Sequence, residues 1–157
     1  MQEAASRFFR STSFAVAGAS PVTTKAGYRV LAWYHEHSLP VTPINPSRPS
    51  IALPSKEYNT VADVSALASP ASTAVSFVLP PKVTRQVLEA AKEVGVKAVW
   101  LQPGSFDEEG LKFAKDNFET AVGGSEEGTI GPEGWCVMAD GEATMERAGI
   151  KWTKQEL

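Results

Sequence analysis

Apolar and polar residues follow two patterns along the chain: short β-branched runs, and longer stretches whose apolar residues recur at helical spacing. The short runs predict strands at 13–18, 40–45, 73–79, 97–101 and 119–122. The helical spacing predicts helices at 24–37, 83–94, 107–117 and 142–148, a short helix at 61–67 and a docking helix within 1–10. Strands that alternate with helices predict an α/β fold: a mostly parallel five-stranded sheet with right-handed crossovers and helices on both faces.

The segment after the last predicted strand is harder to assign. Five glycines between 123 and 134 predict a loop, and the apolar stretch Trp135-Cys136-Val137-Met138 follows it. The pattern leaves open whether this stretch pairs with the sheet or packs over it. We therefore expect one domain over 1–157, with its core at about 13–122 and a C-terminal extension at 123–157.

Composition narrows the classes of partner and compartment. A net charge of −3 gives no general attraction to nucleic acid or to an anionic membrane, so an anion site has to be local. No apolar run approaches the roughly 20 residues that span a bilayer, and 1–10 lacks a secretory leader. The single Cys136 cannot form an internal disulfide, so the cytoplasm is the expected location.

The first strand ends abruptly in the turn Gly18-Ala19-Ser20-Pro21, and a helix follows. A turn of small residues lets the backbone approach a phosphate, and the N-terminus of the helix offers free N–H groups and partial positive charge. Lys25 adds a full charge at that end. Of the dinucleotide fingerprint G-x-G-x-x-G only the first glycine is present, so a plain strand-to-helix turn remains an alternative.

The end of the second strand is more discriminating. Sites for NAD place a carboxylate there to hold the ribose hydroxyls, whereas this chain has Asn45-Pro46, with Arg48 two residues later. A cation in place of a carboxylate suits a phosphorylated ribose, as in NADP or in the 3′-phospho-ADP part of coenzyme A. The alternative is a solvated surface arginine.

Two more loops are expected at the same edge of the sheet. Leu79-Pro80-Pro81 ends the third strand and could form a rigid apolar wall for a ligand, although a simple strand stop explains it equally well. Gln102-Pro103-Gly104 follows the fourth strand, and its amide could hydrogen-bond a ligand.

Catalytic groups are sparse. His35 and His37 lie near the end of the helix away from the predicted binding edge, where a structural or surface role is expected. Cys136, beside a tryptophan in an apolar run, is expected to be a buried core thiol. No metal-ligand motif occurs, and nothing assembles a base, an orienting group and an oxyanion site, so an enzymatic activity is not expected.

Several separated motifs together resemble a known family, the small stand-alone CoA-binding domains, which are similar to the N-terminal domain of the succinyl-CoA ligase alpha subunit. The matching segments are Val16-Ala17-Gly18-Ala19-Ser20-Pro21, Lys25-Ala26-Gly27-Tyr28-Arg29-Val30, Val41-Thr42-Pro43-Ile44-Asn45-Pro46, Tyr58-Asn59-Thr60-Val61, Val78-Leu79-Pro80-Pro81 and Val99-Trp100-Leu101-Gln102-Pro103-Gly104.

The resemblance implies a three-layer Rossmann-like domain that binds coenzyme A or an acyl-CoA. By motif match, Ala19, Ser20 and Pro21 would lie at the pyrophosphate, Arg48 would be the basic contact, and Leu101, Gln102 and Pro103 would form a third contact segment. The full set of predicted cofactor-binding residues is Gly18, Ala19, Ser20, Pro21, Lys25, Tyr28, Asn45, Pro46, Arg48, Leu79, Pro80, Leu101, Gln102 and Pro103.

Three functions are compatible with the residues. The first is a non-catalytic CoA carrier, sensor or accessory protein, because the phosphohistidine domain of the ligase is not expected here. The second is an NADP-dependent oxidoreductase. The third is a ligand-free interaction module that uses exposed Trp135 and Trp152. The pattern leaves open a protein partner or a homo-oligomer; no nucleic acid and no membrane partner are expected.

Overall fold

A computed structural model describes residues 1–157 as five helices, seven strands and two short 3₁₀ turns. The helices are α1 Gln2–Phe9, α2 Ala26–Glu36, α3 Pro81–Glu93, α4 Glu108–Asn117 and α5 Val137–Arg147. The strands are β1 Ser13–Ala17, β2 Val41–Ile44, β3 Ser50–Ala52, β4 Glu57–Asn59, β5 Thr73–Phe77, β6 Ala98–Leu101 and β7 Thr120–Val122. The 3₁₀ turns are Val64–Ala66 and Pro70–Ser72. No helix combines the length and hydropathy that crossing a membrane requires.

The main sheet has the order β2-β1-β5-β6-β7, and every neighbouring pair is parallel. The predicted five-stranded α/β fold is therefore confirmed. The chain winds outward in one direction from β1 to β2 and in the other direction from β5 to β7. The order reverses between β1 and β5, and in doubly wound sheets this reversal is where ligands bind.

The sheet has a separate apolar core on each face, because successive strand residues point to opposite sides. Helices α1, α2 and α5 cover one face, where Phe14 of β1 and Trp100 of β6 are buried. Helices α3 and α4 cover the other face, above Val75 and Phe77 of β5. This three-layer arrangement is the one that the alternation of strands and helices predicts.

The N-terminal helix and the C-terminal extension complete the first core. Phe8 and Phe9 of α1 pack edge-on against Trp100, and Trp135 packs against the same ring. Trp135 is fully buried, which corrects the expectation that it is exposed for a partner; Trp152 is half-buried. The apolar stretch that the pattern left open thus packs over the sheet, and α5 begins at Val137, before the predicted 142.

One local prediction is wrong and one element is missed, each for an identifiable reason. The helix expected at 61–67 is only the turn Val64–Ala66, capped by Asp63, because Val61 forms a β-bridge with Ile44 at the end of β2. The loop after Arg48 contains the antiparallel hairpin β3–β4, in which Ile51 lies opposite Tyr58. Ile51 is the only buried residue in these two strands, so they form no apolar run that the sequence pattern could mark.

Candidate binding cleft

A cleft of about 600 Å³ opens at the carboxyl ends of β1, β2 and β5, across the point where the strand order reverses. Ten of the fourteen predicted cofactor-binding residues line it: Gly18, Ala19, Ser20, Pro21, Lys25, Asn45, Pro46, Arg48, Leu79 and Pro80. Val22, Ala26, Gly27, Ile44, Ser47 and Val78 complete the lining. The fold thus brings together three loops that are far apart in sequence.

The remaining four predicted residues do not line this cleft. Tyr28 is buried on α2, and Leu101, the last residue of β6, is fully buried in the second apolar core. Gln102 is also buried, and its Oε1 accepts a hydrogen bond of 3.0 Å from the backbone N–H of Val137 at the start of α5. Pro103 is half-buried beside it. The β6 loop therefore supports the C-terminal extension.

Two glycines allow the turn after β1 and the start of α2 to approach each other closely. Gly18 adopts φ +95°, and a Cβ there would stand 2.1 Å from the carbonyl oxygen of Val78. A Cβ on Gly27 would stand 2.0 Å from the carbonyl oxygen of Gly18. Gly27 thus has the packing role of the last fingerprint glycine, at a longer spacing. The sequence signal for it was a glycine in the first turn of a helix, where glycine is otherwise unfavourable.

The backbone around this turn presents unused donors. The N–H groups of Ala19, Ser20, Ala26 and Gly27 have no acceptor within the protein. Lys25 is the N-cap residue of α2, and its side chain makes no capping bond. Free N–H groups at the start of a helix, together with the helix dipole, favour an anion there.

Asn45 connects the two loops on either side of the cleft. Its Nδ2 donates to the carbonyl oxygen of Ala19 at 2.9 Å, and its Oδ1 accepts from the N–H groups of Ser47 at 2.8 Å and Arg48 at 3.0 Å. Both polar atoms of the side-chain amide thus bind within the protein, although the sequence predicted Asn45 as a cofactor-binding residue.

The cleft is locally positive although the whole protein is acidic. Lys25 and Arg48 are its only charged side chains; both are exposed and form no ion pair. No Asp or Glu lines it. Leu79 and Pro80 form the opposite, apolar wall. Two unpaired cations and several free N–H groups around one opening suit a ligand with more than one phosphate.

The other candidate groups lie outside the cleft. His35 and His37 are both buried: His35 contacts the Tyr58 hydroxyl at 2.8 Å, and His37 contacts Glu142 at 2.8 Å. Cys136 is the half-exposed N-cap of α5 and not a buried core thiol, because the helix begins directly after it. No three His, Cys, Asp or Glu side chains are grouped to hold a metal ion.

Comparison with solved structures identifies proteins that have the same fold. A conserved hypothetical protein from Pyrococcus furiosus is 31% identical, with a TM-score of 0.63 over 71% of this chain and 93% of that one. A hypothetical protein from Pyrococcus horikoshii is 23% identical, with a TM-score of 0.72 over 94% and 92%. A Thermus thermophilus protein is 24% identical, with a TM-score of 0.65 over 77% and 88%. These last two likenesses show the fold alone. None of the curated proteins compared with the chain matches it.

The family is shown by a match that extends over most of the chain. Residues 12–126 match the family described as the CoA binding domain. This range contains every strand of the sheet and every residue that lines the cleft. The protein therefore belongs to the CoA-binding domain family.

Proposed function

We propose that the protein binds coenzyme A or an acyl-CoA in the cleft and acts as a carrier, sensor or accessory protein without catalysis of its own. The observation that carries the proposal is the meeting of unpaired backbone N–H donors with Lys25 and Arg48 in a cleft that has no carboxylate. Membership of the CoA-binding domain family supports the choice of ligand.

The residues present fit the phosphorylated end of coenzyme A. The N–H groups of Ser20, Ala26 and Gly27 would hold the pyrophosphate, with Lys25 beside them. Arg48 would hold the 3′-phosphate of the ribose, which a guanidinium can grip through two parallel hydrogen bonds. A volume of about 600 Å³ lies within the range of small-molecule sites.

The composition of the lining supports binding without catalysis. The cleft has no His, Cys, Asp or Glu side chain, which are the types that most often act as a general acid, general base or nucleophile. A thioester or phosphoryl transfer would need a nucleophile and a base within hydrogen-bond reach of each other. The buried His35 lies in the last turn of α2 and the buried His37 is its C-cap, whereas the cleft is at the N-terminus of this helix.

Calorimetry with CoA, acetyl-CoA, NADP and NAD tests the proposal. We expect CoA and acetyl-CoA to bind, and a ligand at 100 times its dissociation constant to raise the free energy of unfolding by about 2.7 kcal/mol. Arg48→Glu should weaken CoA binding by at least tenfold, because it puts a carboxylate where the phosphate would lie. Lys154→Glu makes the same change in net charge at an exposed position outside the cleft, and should leave binding unchanged.

NADP is the informative competitor, because it also carries a phosphorylated ribose. Binding of NADP without CoA would contradict the proposal and favour the oxidoreductase. If neither nucleotide binds at millimolar concentration, the cleft is not a site for either of them, and the ligand-free interaction module is favoured.

A further inference from the structure

We infer that Asn45 is a positioning residue that holds the two sides of the cleft together and fixes the backbone from which Arg48 reaches the ligand. This inference rests on the proposed function. It concerns a residue that sequence reasoning assigned to direct ligand contact, whereas the structure uses all of its hydrogen-bonding atoms within the protein.

The three hydrogen bonds of Asn45 run in two directions. Its Nδ2 donates to the carbonyl oxygen of Ala19, in the turn after β1. Its Oδ1 accepts from the N–H groups of Ser47 and Arg48, in the turn after β2. One planar amide thus sets both the distance between the turns and the path of the chain that leads to Arg48.

The amide of asparagine supplies this set of bonds, whereas neither a carboxylate nor a methyl group can. Aspartate could still accept from Ser47 and Arg48, but it has no donor for Ala19 and would place a negative oxygen against that carbonyl. Alanine would leave all three partners to water. Residue 45 has to donate one hydrogen bond and accept two. This requirement explains why the position carries asparagine where NAD-binding folds carry a carboxylate.

Arg48 is held on both sides of its backbone while its side chain stays free. Its N–H is bound by Asn45, and its carbonyl oxygen accepts a hydrogen bond from the Thr60 hydroxyl. The guanidinium has no hydrogen-bond or ion-pair partner in the protein. A fixed backbone lowers the conformational entropy that is lost when the guanidinium takes up a phosphate, so Asn45 should strengthen the contact at the 3′-phosphate.

A double-mutant cycle with two ligands tests the inference. The variants are Asn45→Ala, Arg48→Ala and the double variant, and the ligands are CoA and dephospho-CoA, which lacks the 3′-phosphate. We expect Asn45→Ala to weaken CoA by about tenfold and dephospho-CoA by only about threefold. In the Arg48→Ala background, Asn45→Ala should weaken CoA by the smaller factor, because the contact that it positions is already absent.

Asn59→Ala is the matched control, because Asn59 is exposed on β4 and its side chain makes no hydrogen bond. It should leave both affinities unchanged. Circular dichroism and the unfolding midpoint of each variant without ligand establish that it is folded; if Asn45→Ala does not fold, Asn45→Ser replaces it in the same cycle.

The outcomes separate the inference from the proposed function. A wild-type protein that fails to bind CoA overturns both. A wild-type protein that binds CoA, with Asn45→Ala losing the same factor for both ligands and in both backgrounds, overturns only the inference, because Asn45 then has a purely structural role.

Discussion

The carbonyl oxygen of Gly18 lies so close to Gly27 that a Cβ at Gly27 would stand 2.0 Å from it. The contact joins the turn after β1 to the first turn of α2, and it puts the free N–H groups of both segments on one side of the cleft. Backbone that packs this tightly cannot admit a methyl group without moving, since atoms at 2.0 Å overlap well inside van der Waals contact.

Gly27→Ala should therefore separate α2 from the turn. We expect a loss of at least about 2 kcal/mol in the free energy of unfolding, because the atom in the way is backbone and cannot rotate aside. CoA binding should weaken as well, since the N–H groups no longer converge. Urea unfolding and calorimetry measure the two effects.

Gly110→Ala is the control for this substitution. Gly110 also lies in the first turn of a helix, α4, but the nearest atom to its Cβ would be a side-chain oxygen of Asp107 at 3.2 Å. An equal loss of stability in both variants would contradict the role of the Gly18–Gly27 contact.

Gln102 should matter for stability through the C-terminal extension. Replacement by alanine removes the acceptor of the Val137 N–H and leaves that buried donor unpaired, beside a small cavity. We expect a loss of about 2–3 kcal/mol. Urea unfolding measures it, with Gln86→Ala on the exposed side of α3 as the control. A loss below about 0.5 kcal/mol, the usual scatter of surface substitutions, would show that the bond is not needed.

His37 is a second connection to the extension. Its ring stacks on Trp33 at 4.0 Å between centroids and also lies 4.2 Å from the centroid of Trp152. His37→Ala should cost about 3 kcal/mol of stability, because it removes a buried ring that packs against two others. Glu142→Gln should cost less than about 1 kcal/mol, since the Glu142 side chain is 61% exposed and glutamine keeps the acceptor. Equal losses would mean that the hydrogen bond to Glu142, and not the packing of the ring, is what holds this contact.

The burial of Tyr34 should make the free energy of unfolding fall at alkaline pH. Its hydroxyl is fully buried and hydrogen-bonded to Ser76 at 2.7 Å, and burial raises its pKa far above the ordinary value, with the Ser76 bond opposing in part. The unfolded chain ionises this tyrosine near pH 10 and the folded one does not, so stability is complete below about pH 10 and falls above it, by up to about 1.4 kcal/mol per pH unit.

Tyr34→Phe tests this assignment. The variant should lose about 1 kcal/mol near pH 8, because Ser76 loses its partner, and its stability should fall less steeply than the wild type between pH 10 and 11.5. Tyr58→Phe is the matched control. Burial also raises the pKa of Tyr58, but this side chain is only half-buried, so the fall of stability with pH should change less in this variant. Parallel pH profiles for wild type and Tyr34→Phe would exclude Tyr34 as the source.

Patterning predicted the longer elements because their signal is repeated many times. The run Thr73–Phe77 is buried at every residue, as expected for a central parallel strand, and α3 places Leu88 and Ala91 on one face. The hairpin β3–β4 was missed because Ile51 is the only buried residue of its two strands, which leaves no apolar pattern to detect. The start of α5 was missed because the residue that satisfies its first N–H is Gln102, 35 residues earlier.

The sequence likewise predicted some features of the candidate site and not others. The sequence predicted that Gly18–Pro21 and Arg48 are site residues. Both predictions depend only on which residue type stands at a known place in a strand–turn–helix unit. The contacts of Gly27 and Asn45 were not predicted from the sequence. Each contact depends on an atom from another segment: the Gly18 carbonyl for Gly27 and the Ala19 carbonyl for Asn45.

The amino-acid sequence alone determined the layered α/β architecture, the small-residue turn after β1 and the presence of a cation where NAD sites carry a carboxylate, since these follow from periodicity and residue type read along the chain. Only the tertiary structure decided which loops share a cleft, that Leu101 and Gln102 face the core and the extension, and that Asn45 is used within the protein. Those outcomes depend on contacts between segments distant in sequence, and such contacts are set by how the layers pack and not by any local pattern.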